Sequence, residues 1–328
     1  MQNIELGRTG EQVSQLALGA MLMGTDTDEA TSFAMLDRYL DAGGSFVDTA
    51  NCYAWWRGPG HTGGESEAVL GRWLARRRRD EIFLATKGSA WVADPDYWRG
   101  RGFPAGYSGA GAETLRRELD DSLRRLGTDH VDLYYVHVDD PATPLEETLE
   151  ALAGFVAAGK VRYIGWSNVR TWRLERIRGL AERHGWPAPV AVQQQHSYLR
   201  PKAGASTLHV VDDQQLAHFA ANPEMTLVAY SPMLKGIYDD PAKRNGHPVM
   251  DNYAGQDAEA RLAALTEVAA ELDVRPNQLV VAWLLRQTAP APVALVGPRT
   301  MAQFETALST VDIKLSDDQL ARLDEAGA

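Results

Sequence analysis

A chain of 328 residues with 45% hydrophobic and 23% charged residues has the size and composition of one large globular domain or two ordinary ones. Its formal net charge of −11 argues against nucleic acid or an anionic membrane surface as a partner, and no apolar run is long enough to cross a bilayer. The single cysteine, Cys52, excludes an intramolecular disulfide, and the opening stretch Met1–Arg8 is too polar for a signal peptide, so the expectation is a soluble, cytoplasmic protein.

In chain order, Ile4–Leu6 and Val13–Leu16, turning around Thr9 and Gly10, predict a small hairpin. Short apolar runs then alternate with amphipathic stretches. The runs Gln15–Gly19, Ser45–Asp48, Ile82–Thr86, Val131–His137, Val161–Trp166, Val190–Gln193, Thr226–Tyr230 and Val293–Val296 predict strands. Helices are predicted near 31–42, 65–76, 113–126, 145–159, 171–184, 212–221, 257–272 and 301–309. Leu115, Leu119, Leu123 and Leu126 form one stripe, and Gly127 and Gly159 stand where helices should end. The basic run Arg76–Arg79 follows a predicted helix, where cations suit the C-terminal end of the dipole. Eight strand–helix units predict an α/β fold, a (β/α)8 TIM barrel built as a single domain over 1–328, with the hairpin across its bottom. An open doubly wound sheet is the rival architecture. Two long loops, 88–112 and 235–256, follow strands and fall on the C-terminal rim, where barrel enzymes keep their sites.

Three consecutive strand ends bring Asp48, Tyr53, Lys87 and His137 to that rim. The segments FVDTANCY ending at Tyr53, IFLATKG ending at Gly88 and VDLYYVH ending at His137 resemble motifs of the aldo-keto reductase superfamily. So do GKVRYIGWSN ending at Asn168, AVQQQHSYL ending at Leu199, VAYSPMLKG ending at Gly236 and ALVGPRT ending at Thr300, all in order along the chain. The resemblance implies that Tyr53 is a general acid and that Asp48, Lys87 and His137 complete a catalytic tetrad. Elementary chemistry agrees. Reducing a carbonyl requires a hydride to carbon and a proton to oxygen, and tyrosine, with an ordinary pKa of about 10, is a poor acid near neutrality. A neighbouring Lys87 ammonium is expected to lower that value. Asp48 would compensate the ammonium's burial, and His137 would donate a hydrogen bond to the substrate oxygen. Singly, these residues read as a cap, a packing tyrosine, a surface lysine and a rim histidine; their joint placement carries the inference. His137, Asp139 and Asp140 form a possible oxygen-rich metal cluster, but nothing completes it, so no metal is expected. Asp139 and Asp140 are expected to cap the helix that starts near Pro144.

Two nucleotide motifs fail. Gly154–Lys160 resembles a phosphate loop but is followed by Val161 where Ser or Thr is required, and Gly100–Ala105 lacks the surrounding βαβ unit. The family resemblance implies instead a dinucleotide extended across the rim. On that likeness Ser167, Asn168 and Gln195 hold the carboxamide of the nicotinamide, and Tyr230 stacks on its ring. Ser231, Pro232, Leu234 and Gly236 underlie the pyrophosphate, while Gly297, Arg299 and Gln303 hold the adenosine ribose and its phosphate. An arginine beside a helix start suits a 2′-phosphate, so NADPH is expected ahead of NADH. The chain departs from the family in having Thr306 and Ala307 where Glu-Asn is common, Met233 in place of a usual Leu, and a longer loop over Trp55–Gly64. The run Gln193–Gln195 leaves the register of the amide-binding glutamine open, and spacing to Tyr198 selects Gln195.

Trp55, Trp56, Trp91, Trp98 and Tyr107 supply aromatic surface around the rim, with Trp55 and Trp91 expected to wall the substrate pocket. The expected substrate is a medium or bulky aldehyde or ketone. Cys52 reads as a packing residue rather than an oxidation site. The principal alternative is a cofactor-binding regulatory protein, resembling the channel-associated subunits on this scaffold, with little turnover. Another barrel enzyme, an isomerase or a metal-dependent lyase, is the further alternative.

Overall fold

The computed structural model describes residues 1–58, 60–94, 106–206 and 208–327. Strands β1 (Asn3–Glu5) and β2 (Gln12–Ser14) pair antiparallel as the expected hairpin, with Ile4 opposite Val13. Eight parallel strands follow: β3 (Leu16–Gly19), β4 (Phe46–Asp48), β5 (Phe83–Gly88), β6 (Val131–Val136), β7 (Val161–Ser167), β8 (Ala191–Gln195), β9 (Thr226–Tyr230) and β10 (Val293–Val296). They are hydrogen-bonded in sequence order, and β10 pairs with β3 to close a barrel. The TIM-barrel expectation therefore holds, and the open sheet is excluded.

Alternation along each strand separates two cores. Ala17, Phe46, Phe83, Ala85, Leu133, Tyr135, Ala191, Val228 and Leu295 pack inside the barrel. Leu18, Val47, Leu84, Tyr134, Val136, Val192, Leu227 and Ala294 face the surrounding helices. The hairpin contributes Leu6 and Val13 to the inner cluster. At the same end, the Gly7 amide donates to Thr226 Oγ1 at 2.7 Å, at the start of β9. Gly7 has φ of 58°, and a Cβ there would lie 2.4 Å from the Glu224 carbonyl oxygen, so only glycine fits. The hairpin thus packs across the N-terminal end of the barrel.

Helices at Glu29–Asp41, Glu65–Leu74, Ala112–Leu126, Leu145–Ala157, Thr171–His184, Asp213–Ala221, Gln256–Glu271 and Met301–Leu308 match the amphipathic stretches. In Ala112–Leu126 the stripe Leu115, Leu119, Leu123 and Leu126 is buried, each side chain contributing roughly 1.5–3 kcal/mol of transfer free energy. Gly127 ends that helix at φ 64°. Among the described residues, besides the four-residue helix Pro241–Arg244, two helices have no counterpart in the expectation, Pro276–Leu285 and Asp317–Glu325. In the first, Leu279 to Leu284 are all buried, so no polar face marks a helical period. The second is short and starts in a capping box between Ser316 and Gln319. The basic run lies just past its helix, with Arg77 paired to Asp37 and Arg79 to Asp132. Among the described residues no helix is long and apolar enough to cross a membrane.

Candidate active site

The two-residue period that puts Phe46, Phe83, Ala85, Leu133 and Tyr135 inside the barrel also directs the next inward positions, Asp48 and Lys87, into its upper layer. Asp48 is 1% exposed and Lys87 is fully buried. The Lys87 ammonium donates to Asp48 Oδ1 at 2.5 Å, to the Thr49 carbonyl at 2.7 Å and to Tyr53 Oη at 2.8 Å. The other Asp48 oxygen accepts from Gln193 Nε2 at 2.8 Å, across the barrel on β8. Burial pulls Lys87 below the usual lysine range, countered by the Asp48 charge, and pushes Asp48 above the usual carboxylate range, countered by Lys87. A buried ion pair survives only when its remaining donors and acceptors are met. Here three N–H bonds meet three oxygens, which is the arrangement of an ammonium.

Tyr53 follows β4 on a turn pinned from two sides. The Asn51 amide donates to the Lys87 carbonyl at 3.2 Å. Its side-chain amide donates to Glu118 Oε2 at 2.9 Å, and the same oxygen accepts from the Ser89 amide at 2.7 Å. Glu118, 4% exposed, thereby fastens the segments that carry Tyr53 and Lys87 to one helix. Ser89 has φ of 80°, a left-handed conformation that a non-glycine residue holds only under such constraint. Sequence reasoning missed Glu118, Gln193 and Thr49. Glu118 did leave a signal, since an acid between Leu115 and Leu119 falls inside the apolar stripe.

His137 follows β6, its amide donating to the Gly88 carbonyl at 2.8 Å and its carbonyl accepting from Asn168 Nδ2 at 2.8 Å. Its ring stands edge-on to Tyr53 with centroids 5.7 Å apart, and its Nδ1 lies 3.5 Å from Cys52 Sγ. Burial, with the Lys87 charge, holds His137 well below the ordinary histidine value, so the ring is neutral. The structure therefore brings Asp48, Tyr53, Lys87 and His137 together. It corrects one expectation. The Tyr53 phenol is pushed well above its ordinary value by burial and then by the Asp48 charge, not lowered by the ammonium. Because Lys87 donates to Oη, the phenolic proton must point away from Nζ. Lys87 thus orients a neutral phenol rather than ionising it.

Asp139 pairs with Arg173 at 2.5 Å. Asp140 accepts from the Ala110 and Ala142 amides, shaping the turn before the helix whose N-cap is Pro144; neither acid caps that helix as expected. Among the described residues no three His, Cys, Asp or Glu are arranged to hold a metal.

The residues assigned to a dinucleotide lie along the ends of β7 to β10. Asn168, at φ 53°, donates to Ser167 Oγ at 3.0 Å and accepts from the Tyr230 hydroxyl at 2.9 Å, which anchors the edge of that ring. On β8, Gln193 turns to Asp48, Gln194 donates to the Val169 carbonyl at 3.2 Å on the other side of the sheet, and Gln195 donates to the Tyr253 hydroxyl at 2.6 Å. Past β9, Ser231, Leu234, Lys235 and Gly236 all have positive φ, while the Pro232 carbonyl accepts from Ser197. The Leu234 amide donates to the Ser231 carbonyl at 3.0 Å and the Gly236 amide to the Met233 carbonyl at 2.8 Å, which closes a tight turn. Lys243 adds charge there by bonding the Lys235 carbonyl. Past Gly297, the Arg299 amide donates to Gln303 Oε1 at 2.9 Å, and the guanidinium is 56% exposed. The cations Lys243 and Arg299, on an otherwise acidic chain, fit a phosphate-bearing dinucleotide. Thr306 is half-buried, whereas Ala307 is buried as packing.

Trp55 opens a short 3-10 turn, Trp55–Arg57, and packs with Tyr53 and Tyr107 on Ala50, Cys52, Ala90 and Val138. Trp91 rests on Arg125, 5.7 Å from ring centroid to guanidinium, and Arg125 is held by Glu67. Trp98 and the segment Gly100–Ala105 lie outside the described residues.

The profile of the Aldo/keto reductase family matches residues 15–328. The chain belongs to this family. Among aldo/keto reductases and their relatives, it is 34% identical over 333 residues to the uncharacterized oxidoreductase YrpG of Bacillus subtilis (strain 168), covering 99% of this chain and 95% of the relative. It is 31% identical to the norsolorinic acid reductase stcV of Emericella nidulans, covering 96% of this chain and 79% of that one. A crystal structure of the thermostable aldo-keto reductase Tm1743, with the inhibitor epalrestat, aligns with a TM-score of 0.74 at 27% identity, covering 99% of this chain and 100% of that chain. As an aldo/keto reductase the chain is an NAD(P)H-dependent oxidoreductase.

Proposed function

We propose that this aldo/keto reductase reduces a medium or bulky aldehyde or ketone to the alcohol, with NADPH preferred over NADH and Tyr53 as the proton donor. The observation that carries the proposal is the saturation of the Lys87 ammonium by Asp48, Thr49 and Tyr53, which leaves the phenolic proton as the one facing away from the buried pair. When bound, the reduced nicotinamide supplies the hydride to the carbonyl carbon. Ser167, Asn168, Gln195 and Tyr230 are the residues that would hold its ring, Ser231, Pro232, Leu234 and Gly236 its diphosphate, and Gly297, Arg299 and Gln303 its adenosine end.

In this reading the carbonyl oxygen sits between Tyr53 and His137. As negative charge grows on that oxygen, Tyr53 transfers its proton there, and the phenolate left behind is stabilised by the Lys87 ammonium. The high resting value of Tyr53 keeps it protonated until that moment, and Asp48 keeps the ammonium from drifting. His137 donates a second hydrogen bond to the oxygen. On this reading Trp55 and Trp91 would exclude water and select for apolar bulk. The test is NADPH and NADH consumption with a panel of aldehydes and ketones. Turnover that tracks the size of the carbonyl substituent supports the proposal. Tight NADPH binding with no turnover of any carbonyl overturns it in favour of a cofactor-binding regulatory protein.

A further inference from the structure

A neutral imidazole has two tautomers, and only the one protonated on Nε2 leaves Nδ1 as the acceptor. What faces Nδ1 decides between them. In His137 that neighbour is Cys52, with Sγ 3.5 Å away. The ring also meets Tyr53 edge-on, with centroids 5.7 Å apart. Cys52 is 4% exposed and clusters with Ala50, Ala90 and Val138, so the thiol is shut off from water.

Burial pushes the thiol up to about 12, so it carries its proton. Two arrangements then compete. In one, S–H donates to Nδ1, a strong acceptor, and the ring proton resides on Nε2. In the other, Nδ1–H donates to sulfur, a weak acceptor, and the buried S–H loses Nδ1 as its acceptor. The first satisfies both groups and the second only one.

We propose that Cys52 is a positioning residue whose thiol holds His137 in the Nε2–H tautomer, making the ring a donor towards the oxygen that Tyr53 protonates. The last clause rests on the proposed reductase reading; the hold on the tautomer does not. One turn thus carries both the proton donor and the group that sets its partner's tautomer, since Cys52 and Tyr53 are adjacent.

The test is the 15N spectrum of imidazole-labelled resting protein, with the His137 signals assigned by their loss in His137→Asn. The wild type is expected to show a protonated Nε2 and an unprotonated Nδ1. Cys52→Ala should give a mixture of tautomers and a several-fold lower kcat, whereas Cys52→Ser, which keeps a donor, should restore both. A wild-type ring protonated on Nδ1, or a Cys52→Ala protein with wild-type spectrum and kcat, overturns the proposal. A shifted tautomer with unchanged kcat overturns its catalytic half. The expected spectra in a protein that turns over no carbonyl would instead sink the reductase reading and leave the thiol's hold standing.

Discussion

The ammonium of Lys87 lies 2.8 Å from the hydroxyl oxygen of Tyr53 and donates to it, with its two other donors spent on Asp48 and Thr49. A donor cannot receive the proton of the group it donates to, so the phenol's own proton is aimed elsewhere. Tyr53→Phe removes the hydroxyl, and with it both that proton and the acceptor for one Lys87 N–H. It is expected to lower kcat by roughly a hundredfold to ten-thousandfold, the usual contribution of a positioned acid. NADPH affinity, read by fluorescence titration, should stay near the wild-type value. A fully active Tyr53→Phe enzyme would remove the tyrosine from the proton-donor role.

The Asp48–Lys87 pair makes a separate prediction about stability. Both side chains are almost entirely buried. Lys87→Met strands the Asp48 carboxylate with only Gln193 Nε2 for company, and breaking a buried pair from one side costs about 3–5 kcal/mol. Replacing both, as Lys87→Met with Asp48→Leu, removes the stranded charge and should recover much of that loss while leaving the enzyme inactive. Denaturant unfolding of the single and double variants measures this. A single variant as stable as the wild type would mean the pair is not held as an ammonium and a carboxylate.

The eight barrel strands were legible because each is a short apolar run bounded by turn residues, and the strand ends then named Asp48, Tyr53, Lys87 and His137 without knowledge of packing. What was hidden depends on register between distant elements. Gln193 reaches Asp48 across the barrel from β8, and Glu118 reaches Asn51 and Ser89 from a helix, so neither partnership follows from local pattern. The helix Pro276–Leu285 was invisible because burial on nearly every side erases the polar face that reveals a period. The direction of the Tyr53 shift was misjudged for a related reason. Sequence can name the neighbouring ammonium, but it cannot weigh that charge against burial, and burial wins.

Acid should weaken the fold through partly buried imidazoles. Burial lowers His196 from 6.5 to about 4, with the charge of Arg261 adding to the effect. A group whose folded value is depressed contributes stability that is fully present above its unfolded value and is lost as pH falls through the folded one. The His196 contribution is therefore complete above pH 6.5 and disappears as pH drops through about 4. His137 is depressed in the same direction and adds to the slope. Unfolding midpoints measured across this window should fall with pH, and His196→Asn should flatten the decline relative to wild type. Parallel curves for the two proteins would show that His196 titrates in the folded state as it does in the unfolded chain.

Cofactor choice turns on Arg299. Its guanidinium is 56% exposed, and its amide is held by Gln303 Oε1 at 2.9 Å, so the side chain is presented without being buried. Its nearest acid is Asp26, whose carboxylate is 3.9 Å away and is already bonded to Arg57. That loose contact leaves the positive charge available to a 2′-phosphate, the group that distinguishes NADPH from NADH. A charge-assisted hydrogen bond is worth about 1.5–3 kcal/mol, so Arg299→Ala should weaken NADPH by roughly ten- to a hundredfold and NADH little. Because the site is exposed, the wild-type preference should also shrink as salt rises, and the variant's should not. Equal losses for the two cofactors, or a preference indifferent to salt, would mean that this arginine does not read the phosphate and that the discrimination must come from elsewhere along the rim.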